Sequence, residues 1–491
     1  MSLPRNPRLD WKALLPVIAV WISLLSLMVG PGHALAVSLL LLAALPLGVK
    51  LAFLAGPLTA AAPTDRPGSS GEPPFISIHI ATHDEPPGVV LHTLESLARL
   101  DYPAARHEVV VLDNNTPDPA RWKPLADWCA RRGGRFHFHH DTGVTGAKAG
   151  ALNLGLQRTD PRAEWICSVD ADYAVEPTYL RRAAEIIATR PGLSHLQFPQ
   201  AYRNVSPCNA GASAELGQYF DAYALRSAGT ESMLLTGTLC VVRRDALEKA
   251  GGWPVDTITE DAHLGLMLLK GGRGLFIDEV QGRGLMPESL EVLGGQRQRW
   301  AAGNAQVLRK VLAGSSAWPG LSVLAQLAAW LCGACLLLPG IALAAVIPAF
   351  HPQLPWLAAG FSLLVLAEAL LVCATAKGSL RLRGQAAVAR LALLPEAAIG
   401  LVQGLAGRKL AFVRTPKDRP RRNSGRVRPL SWVLAFAAAL FLVHGDASIA
   451  LVSGTLWLVA TARGWLARSL AAGEKRGTRP RPEVLLTPIR R

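Results

Sequence analysis

The sequence predicts an α/β domain with a mostly parallel sheet, inserted between apolar helical segments. Short apolar runs alternate with helix-like stretches from Phe75 to about Leu293, the pattern of βαβ units. Long, nearly uncharged runs lie on both sides of that region. Within it, Trp165–Val169 leads directly into two carboxylates, Asp170 and Asp172. Such a run reads as a strand buried on both faces, and in open α/β sheets ligands bind just beyond the carboxyl ends of such strands.

Composition supports the same division. At 491 residues the chain is too long for one core, and about two to four units are expected. Hydrophobic residues make up 50% and mean hydropathy is +0.25, which indicates a membrane protein carrying a soluble domain. The net charge is +15, but the basic residues cluster beside apolar segments. There they set topology and meet anionic lipid, so the bilayer and not nucleic acid is the expected partner. Cys129, Cys167, Cys208 and Cys240 lack metal-ligand spacing, and Cys332 and Cys335 sit in an apolar span where small residues favour helix packing.

Residues 1–56 read as a transmembrane hairpin: apolar runs from about Leu14 to Val29 and Ala34 to Ala55, joined at Gly30–His33, with no cleavage site and both ends cytoplasmic. Lys50 lies near enough to the end to snorkel. Residues 57–74, rich in Pro, Gly, Ser and Thr, form a linker. In the 75–300 domain the expected strands are Phe75–Ala81, Glu108–Leu112, Arg135–His139, Trp165–Val169 and Leu193–Phe198, with helices such as Val89–Leu100 and Pro177–Thr189. Residues 301–318 contain an amphipathic helix, Ala301–Leu312, expected at the membrane surface.

The C-terminal transmembrane region, 319–470, holds expected spans at Leu321–Pro348, kinked at Pro339, and at Trp356–Ala376, Leu430–His444 and Ser448–Ala462. The loop His351–Pro355 lacks Lys and Arg, whereas Lys377, Arg381 and Arg383 punctuate the next, placing the first outside and the second inside. The run 386–406 is interrupted by Arg390, Pro395 and Glu396, and crossing would carry the basic loop 408–428 outside. An interfacial or re-entrant helix is therefore expected there, followed at the end by a basic cytoplasmic tail, 471–491. Glu368 lies mid-span without an obvious partner, either lining a polar path or buried against another helix.

Alternate side chains of an extended chain point the same way, so Asp170 and Asp172 present oxygen ligands together. That pair suits a hard divalent cation, Mg²⁺ or Mn²⁺, carrying a diphosphate; a solvated acidic turn is the plain alternative. Around it fall Thr82–Pro86 and Leu112–Thr116 after the first two strands, Gly146–Asn153 opening a helix, Thr259-Glu260-Asp261, and Gln296-Arg-Gln-Arg-Trp300. Each cluster is weak alone, and specificity lies in their order and spacing between flanking spans.

In that order they resemble the membrane-integrated family 2 glycosyltransferases, the group of bacterial cellulose synthase catalytic subunits, hyaluronan synthases and related β-glucan synthases. The resemblance rests on Asp113, Asp170-x-Asp172, Thr259-Glu-Asp261 and Gln296-x-x-Arg299-Trp300, and covers the soluble domain with the helix after it. It implies a GT-A-type nucleotide-sugar fold and an inverting transfer from a nucleotide sugar, UDP-glucose first, to a growing β-linked polysaccharide or a glycolipid. A departing diphosphate needs cations aimed at it. The resemblance gives the metal to Asp172 with Asp170, sets Asp170 beside the ribose, adds Lys148 and Arg299 as further positive charge, and assigns the nucleoside to Asp113 and Glu85.

Inversion needs a base on the face opposite the leaving group. By resemblance that base is Asp261, with Glu260 beside it, and the acceptor meets Trp300 by stacking, Gln296 by hydrogen bonding and Thr238 within Leu235–Cys240. Plainer readings stand beside these: Asp113 and Lys148 capping turns and helices, Glu260 and Asp261 capping the helix they precede, and Trp300 anchoring at the interface. The wording His83-Asp-Glu-Pro, Asp113-Asn-Asn-Thr and Asp172-Tyr resembles a cellulose-synthase-like glucan synthase branch, whereas Gln197–Gln200 and Leu235–Cys240 depart from cellulose synthases, which leaves acceptor and linkage open.

Phe412–Lys417 resembles the segment that covers the donor site in that family, and is expected to act as a lid. The stretch after Leu470 is too short for the family's cyclic-di-GMP-binding barrel. Implied partners are the donor, a polysaccharide or glycolipid acceptor, the bilayer and accessory export subunits, at a bacterial inner membrane with the catalytic domain cytoplasmic. Single-sugar transfer to a lipid, and a sugar-binding or transport component without catalysis, are the competing functions.

Overall fold

The computed structural model describes residues 30–57, 72–314, 319–408 and 446–475. The expected span at 14–29, most of the linker, the segment 412–417 and the run 430–444 lie outside the described residues.

The strands are β1 (Ile76–Thr82), β2 (His107–Asn114), β3 (Phe136–Asp141), β4 (Trp165–Ser168), β5 (Ala174–Val175), β6 (Leu193–Gln197), β7 (Ala201–Tyr202), β8 (Cys240–Arg243), β9 (Arg273–Phe276) and β10 (Gly282–Gly284). Seven form one sheet in the order β3-β2-β1-β4-β8-β6-β9; β5, β10 and β7 form a small second sheet. Every pairing in the large sheet is parallel except those of β8 with β4 and β6. This is the α/β, mostly parallel class expected, and all five expected strands are present. β1, β2 and β4 carry Ile, Val, Trp and Cys at buried positions on both faces, which covering helices require.

Register decides where the loops go. Thr82 pairs with Asp113 and His79 with Ser168, so the carboxyl ends of β1, β2 and β4 share one edge. β8 was not legible as a strand: it has four residues and no alternation. Because it runs antiparallel, with Cys240 opposite Ser168, its incoming residues Gly237–Leu239 arrive at that same edge beside Asp170.

The longer helices are α1 (Pro31–Leu54), α2 (Pro87–Ala98), α3 (Pro119–Arg132), α4 (Ala147–Arg158), α5 (Tyr179–Thr189), α6 (Ala210–Gln218), α7 (Glu260–Leu268), α8 (Leu290–Leu312), α9 (Leu321–Ala328), α10 (Leu338–Val346), α11 (Leu354–Thr375), α12 (Leu380–Leu405) and α13 (Ala447–Lys475). Among the described residues, Pro31–Leu54, Pro348–Thr375, Leu380–Leu405 and Ala447–Ala472 are long and apolar enough to cross a membrane.

The membrane-side helices depart from the sequence reading in three ways. The helix expected at Ala301–Leu312 begins earlier, at Leu290, so Gln296–Trp300 lies within it; Ser289 caps it by accepting from the Val292 N–H at 3.3 Å. The expected span Leu321–Pro348 is broken between α9 and α10, and Pro339 sits in the first turn of α10, where its missing N–H costs nothing. Lys50 does not snorkel: it is fully buried, bonded to Glu368 and to the Leu331 carbonyl at 3.1 Å, which gives Glu368 its partner.

α12 runs unbroken through the interrupted stretch. It packs on α6, α8, α11 and α13. Arg390 reaches Glu215 at 2.7 Å and the Ala329 carbonyl at 2.9 Å. Glu396 pairs with Arg463 at 2.6 Å, and the same guanidinium bonds the Ala392 carbonyl at 2.7 Å.

Candidate active site

A cavity of about 410 Å³ opens at the carboxyl edge of β1, β2 and β4. Glu85, Lys148, Asp170, Asp172, Glu260, Asp261, Gln296, Arg299 and Trp300 all line it, although the sequence spreads them over more than 200 positions. Asp113 and Thr238 do not.

Asp113 is buried at the end of β2. Its Oδ1 accepts from the hydroxyls of Thr82 at 2.9 Å and Thr116 at 2.7 Å, and Oδ2 lies 2.7 Å from Nδ1 of His140. The His140 ring stacks on Trp122 at 4.4 Å. The sequence reading did not single out His140 or Trp122; the histidine-rich end of β3 was the available signal. Above Asp113, Asn115 bonds both backbone groups of Val144 and ties the β2 loop to the turn before α4. Asp84, Asn115 and Ala147 all have positive φ around this end of the cavity, backbone strain of the kind that gathers at functional sites.

Thr238 lies beneath Asp170, fully buried, and its hydroxyl accepts from the Asp170 N–H at 3.0 Å. It therefore holds the Asp170 backbone from behind, while Thr236 and Gly237 face the cavity. Lys148, in the first turn of α4, donates to Asp170 Oδ1 at 2.5 Å and to the Gly237 carbonyl at 2.7 Å. Burial pulls the Lys148 ammonium down, but Asp170, Glu260 and Asp261 outweigh it and hold it well above the usual lysine value.

Glu260 and Asp261 open α7, where the helix dipole favours negative charge, and the Ala262 N–H donates to Asp261 Oδ1 at 2.7 Å. Even so, burial and then the neighbouring charge raise the Glu260 carboxyl, and burial raises Asp261. Two carboxyls with raised affinity for protons in one cleft suit a group that accepts a proton near neutrality.

The donor set bears on a divalent cation. Asp170 and Asp172 face one cavity with hard oxygens; Asp172 Oδ2 accepts from the Leu285 N–H at 3.0 Å, which fixes its orientation. Among the described residues no group of three or more His, Cys, Asp or Glu is arranged to hold an ion. The residues thus fit a cation shared with phosphate oxygens, not an all-protein cage.

A smaller cavity of about 60 Å³ adjoins the first and shares Asp261, Trp300, Tyr202 and Gln200 with it. Its far wall is Tyr219, Trp330, Asn304 and Gln326. Trp330 lies 5.1 Å from Trp300 between ring centroids and stacks on Tyr219 at 5.2 Å. The sequence reading missed this wall because Trp330 sits in a run that looks like plain membrane span.

Residues 77–251 match the model described as glycosyl transferase family 2, and residues 165–371 match that described as glycosyl transferase family group 2. The chain is 30% identical over 245 residues to a cellulose synthase catalytic subunit (UDP-forming) of Xanthomonas axonopodis pv. citri, across 48% of this chain and 32% of the relative. It is 27% identical over 246 residues to glucomannan 4-beta-mannosyltransferase 7 of Arabidopsis thaliana, across 48% of this chain and 44% of the relative. The match therefore spans less than half the length of these relatives. Among solved structures, the mannosyltransferase PcManGT from Pyrobaculum calidifontis, in complex with GDP-Man and Mn²⁺, aligns at 20% identity and TM-score 0.45, covering 88% of this chain and 99% of that one. Over its catalytic region, then, this chain carries family 2 glycosyltransferase domains homologous to cellulose synthase catalytic subunits and glucomannan synthases.

Proposed function

We propose that the protein is an inverting glycosyltransferase of a bacterial inner membrane, with its catalytic domain cytoplasmic, that moves a sugar from a nucleotide diphosphate to a β-linked polysaccharide. UDP-glucose is the first donor and GDP-mannose the second, since the relatives include both a UDP-forming cellulose synthase and a mannosyltransferase. One observation carries the reading: Asp261 lines both cavities, so a single carboxylate faces the polar donor side and the aromatic side together.

In this reading the nucleoside lies toward Asp113 and Glu85, and the diphosphate toward Asp170, Asp172, Lys148 and Arg299. Asp172 with Asp170 would hold Mg²⁺ or Mn²⁺, which neutralises charge on the departing diphosphate. Lys148 keeps Asp170 in place and brings positive charge to the same spot. Asp261 takes the proton from the attacking acceptor hydroxyl, and its burial keeps its proton affinity high. Trp300 offers an aromatic face to the acceptor sugar, and Gln296 a hydrogen bond. Helices long enough to span the bilayer pack directly behind the smaller cavity, the route by which a lengthening product would leave.

The test is incubation of the purified full chain in lipid with labelled UDP-glucose and GDP-mannose plus Mg²⁺ or Mn²⁺, followed by linkage and length analysis. A β-linked polymer supports the proposal; a single-sugar lipid and no polymer would replace it with glycolipid synthesis. Asp261→Asn is expected to lower kcat by about 10²- to 10⁴-fold with little change in donor KM. Unchanged turnover in that variant would remove Asp261 from the role of base, and no turnover by the wild type with either donor would leave only a sugar-binding role.

A further inference from the structure

We infer that Glu215 is a positioning residue for the acceptor wall: through Arg297 and Arg390 its buried carboxylate sets the Trp330 indole against Trp300. The inference rests on the reading of the smaller cavity as the acceptor end. Glu215, on α6, is fully buried, and it is the only carboxylate in ion-pair contact with these two guanidiniums among the described residues. Arg297 comes from α8, inside the Gln296–Trp300 stretch, and Arg390 from α12 at 2.7 Å. A buried carboxylate is tolerable only with such partners.

Two guanidiniums on one carboxylate leave a surplus positive charge, and an aromatic face lies beside it. The Arg297 guanidinium carbon is 4.0 Å from the Trp330 ring centroid and 5.4 Å from that of Trp300; Arg390 is 5.7 Å from Trp330. Desolvated cation–π contacts of this kind fix ring orientation as well as position. Trp330 needs that help, because it lies two residues beyond the last helical residue of α9 and the next three residues are not helical. Arg390 also donates to the carbonyl of Ala329, the residue before it, at 2.9 Å. Neither Glu215, Arg297, Arg390 nor Trp330 lines the larger cavity, so disturbing Glu215 should reach the acceptor side and spare the donor side.

The experiment compares wild type, Glu215→Gln, Glu215→Asp and Trp330→Phe as full-length protein in lipid. Nucleotide release is measured from UDP-glucose with cellotetraose and from GDP-mannose with mannotetraose, alongside near-ultraviolet circular dichroism. Glu215→Gln is expected to raise acceptor KM about tenfold while donor KM stays within about twofold. It is also expected to lose the dichroic band that Trp330→Phe loses, and Glu215→Asp to recover part of both. Retention of that band with wild-type acceptor KM, or a joint rise of donor and acceptor KM with the band retained, overturns the inference. Should wild type release nucleotide from neither donor, the functional reading fails, and the band alone decides: lost in Glu215→Gln it upholds the positioning role, kept it refutes it. Should Glu215→Gln not fold, Glu215→Asp is measured identically, and wild-type values there refute the role.

Discussion

At Gly237 the backbone φ is +82°, and a β-carbon would lie 2.8 Å from Oδ2 of Asp261 and 3.5 Å from Nζ of Lys148. Gly237→Ala is accordingly expected to lower kcat by about tenfold or more, displacing the carboxylate while the donor still binds; single-turnover kinetics would separate the two. The raised proton affinity of Glu260 and Asp261 sets two pH dependences. Catalysis needs an ionised base, so turnover should fall as pH drops out of the neutral range, earlier than for an ordinary carboxylate. Stability runs the other way: a carboxyl with raised folded-state pKa helps the fold below its unfolded value, and that help is lost as pH rises through the folded value. Glu260→Gln should therefore raise the thermal midpoint by roughly a few degrees at pH 8 and little at pH 5, which paired melts would check. The carboxylates that meet in the larger cavity were legible because Asp-x-Asp and Thr-Glu-Asp are local in sequence. The inward turn of Thr238 and Asp113 was not, since it depends on the β8 approach and on His140, partners set by the fold.

The element that joins the larger cavity to a helix long and apolar enough to cross a membrane is α8, which lines the cavity with Gln296, Arg299 and Trp300 and packs on α12. Gly400 and Gly404 of α12 sit directly on it: a β-carbon at Gly404 would lie 2.3 Å from the Ala302 carbonyl oxygen and 2.6 Å from Ala305 Cβ. Gly404→Val should cost about 1–3 kcal/mol of stability, read as a lower thermal midpoint in detergent, because the helices must part to admit it. The buried strands announced themselves as apolar runs, and β1, β2 and β4 needed nothing more. α12 was legible as a helix but not in its pairing. Arg390, Pro395 and Glu396 look like interruptions until Glu215 and Arg463, 175 and 67 positions from Arg390 and Glu396 respectively, arrive to neutralise them. Periodicity carries no trace of partners so distant.

For the molecule as a whole, the Lys50–Glu368 pair fastens α1 to α11, and its bond to the Leu331 carbonyl reaches the break after α9. Removing one partner leaves a buried charge and should destabilise by about 3–5 kcal/mol, whereas Lys50→Met with Glu368→Leu should regain most of that loss. Thermal midpoints of the two single variants and the double variant test this, and additive losses would refute it. The sequence showed both residues as isolated charges in apolar runs; only the packing of the helices joins them. α8 itself extends about 34 Å as one rigid rod. It carries Gln296, Arg299 and Trp300 on its earlier turns, and its later turns lie against α9. On the proposed reading a rod of that length would act as a lever, because helices tilting to match a thicker or thinner bilayer would swing the indole of Trp300 relative to Asp261. Transfer rate should then differ between vesicles of short-chain and long-chain lipid, and equal rates in the two would refute the coupling.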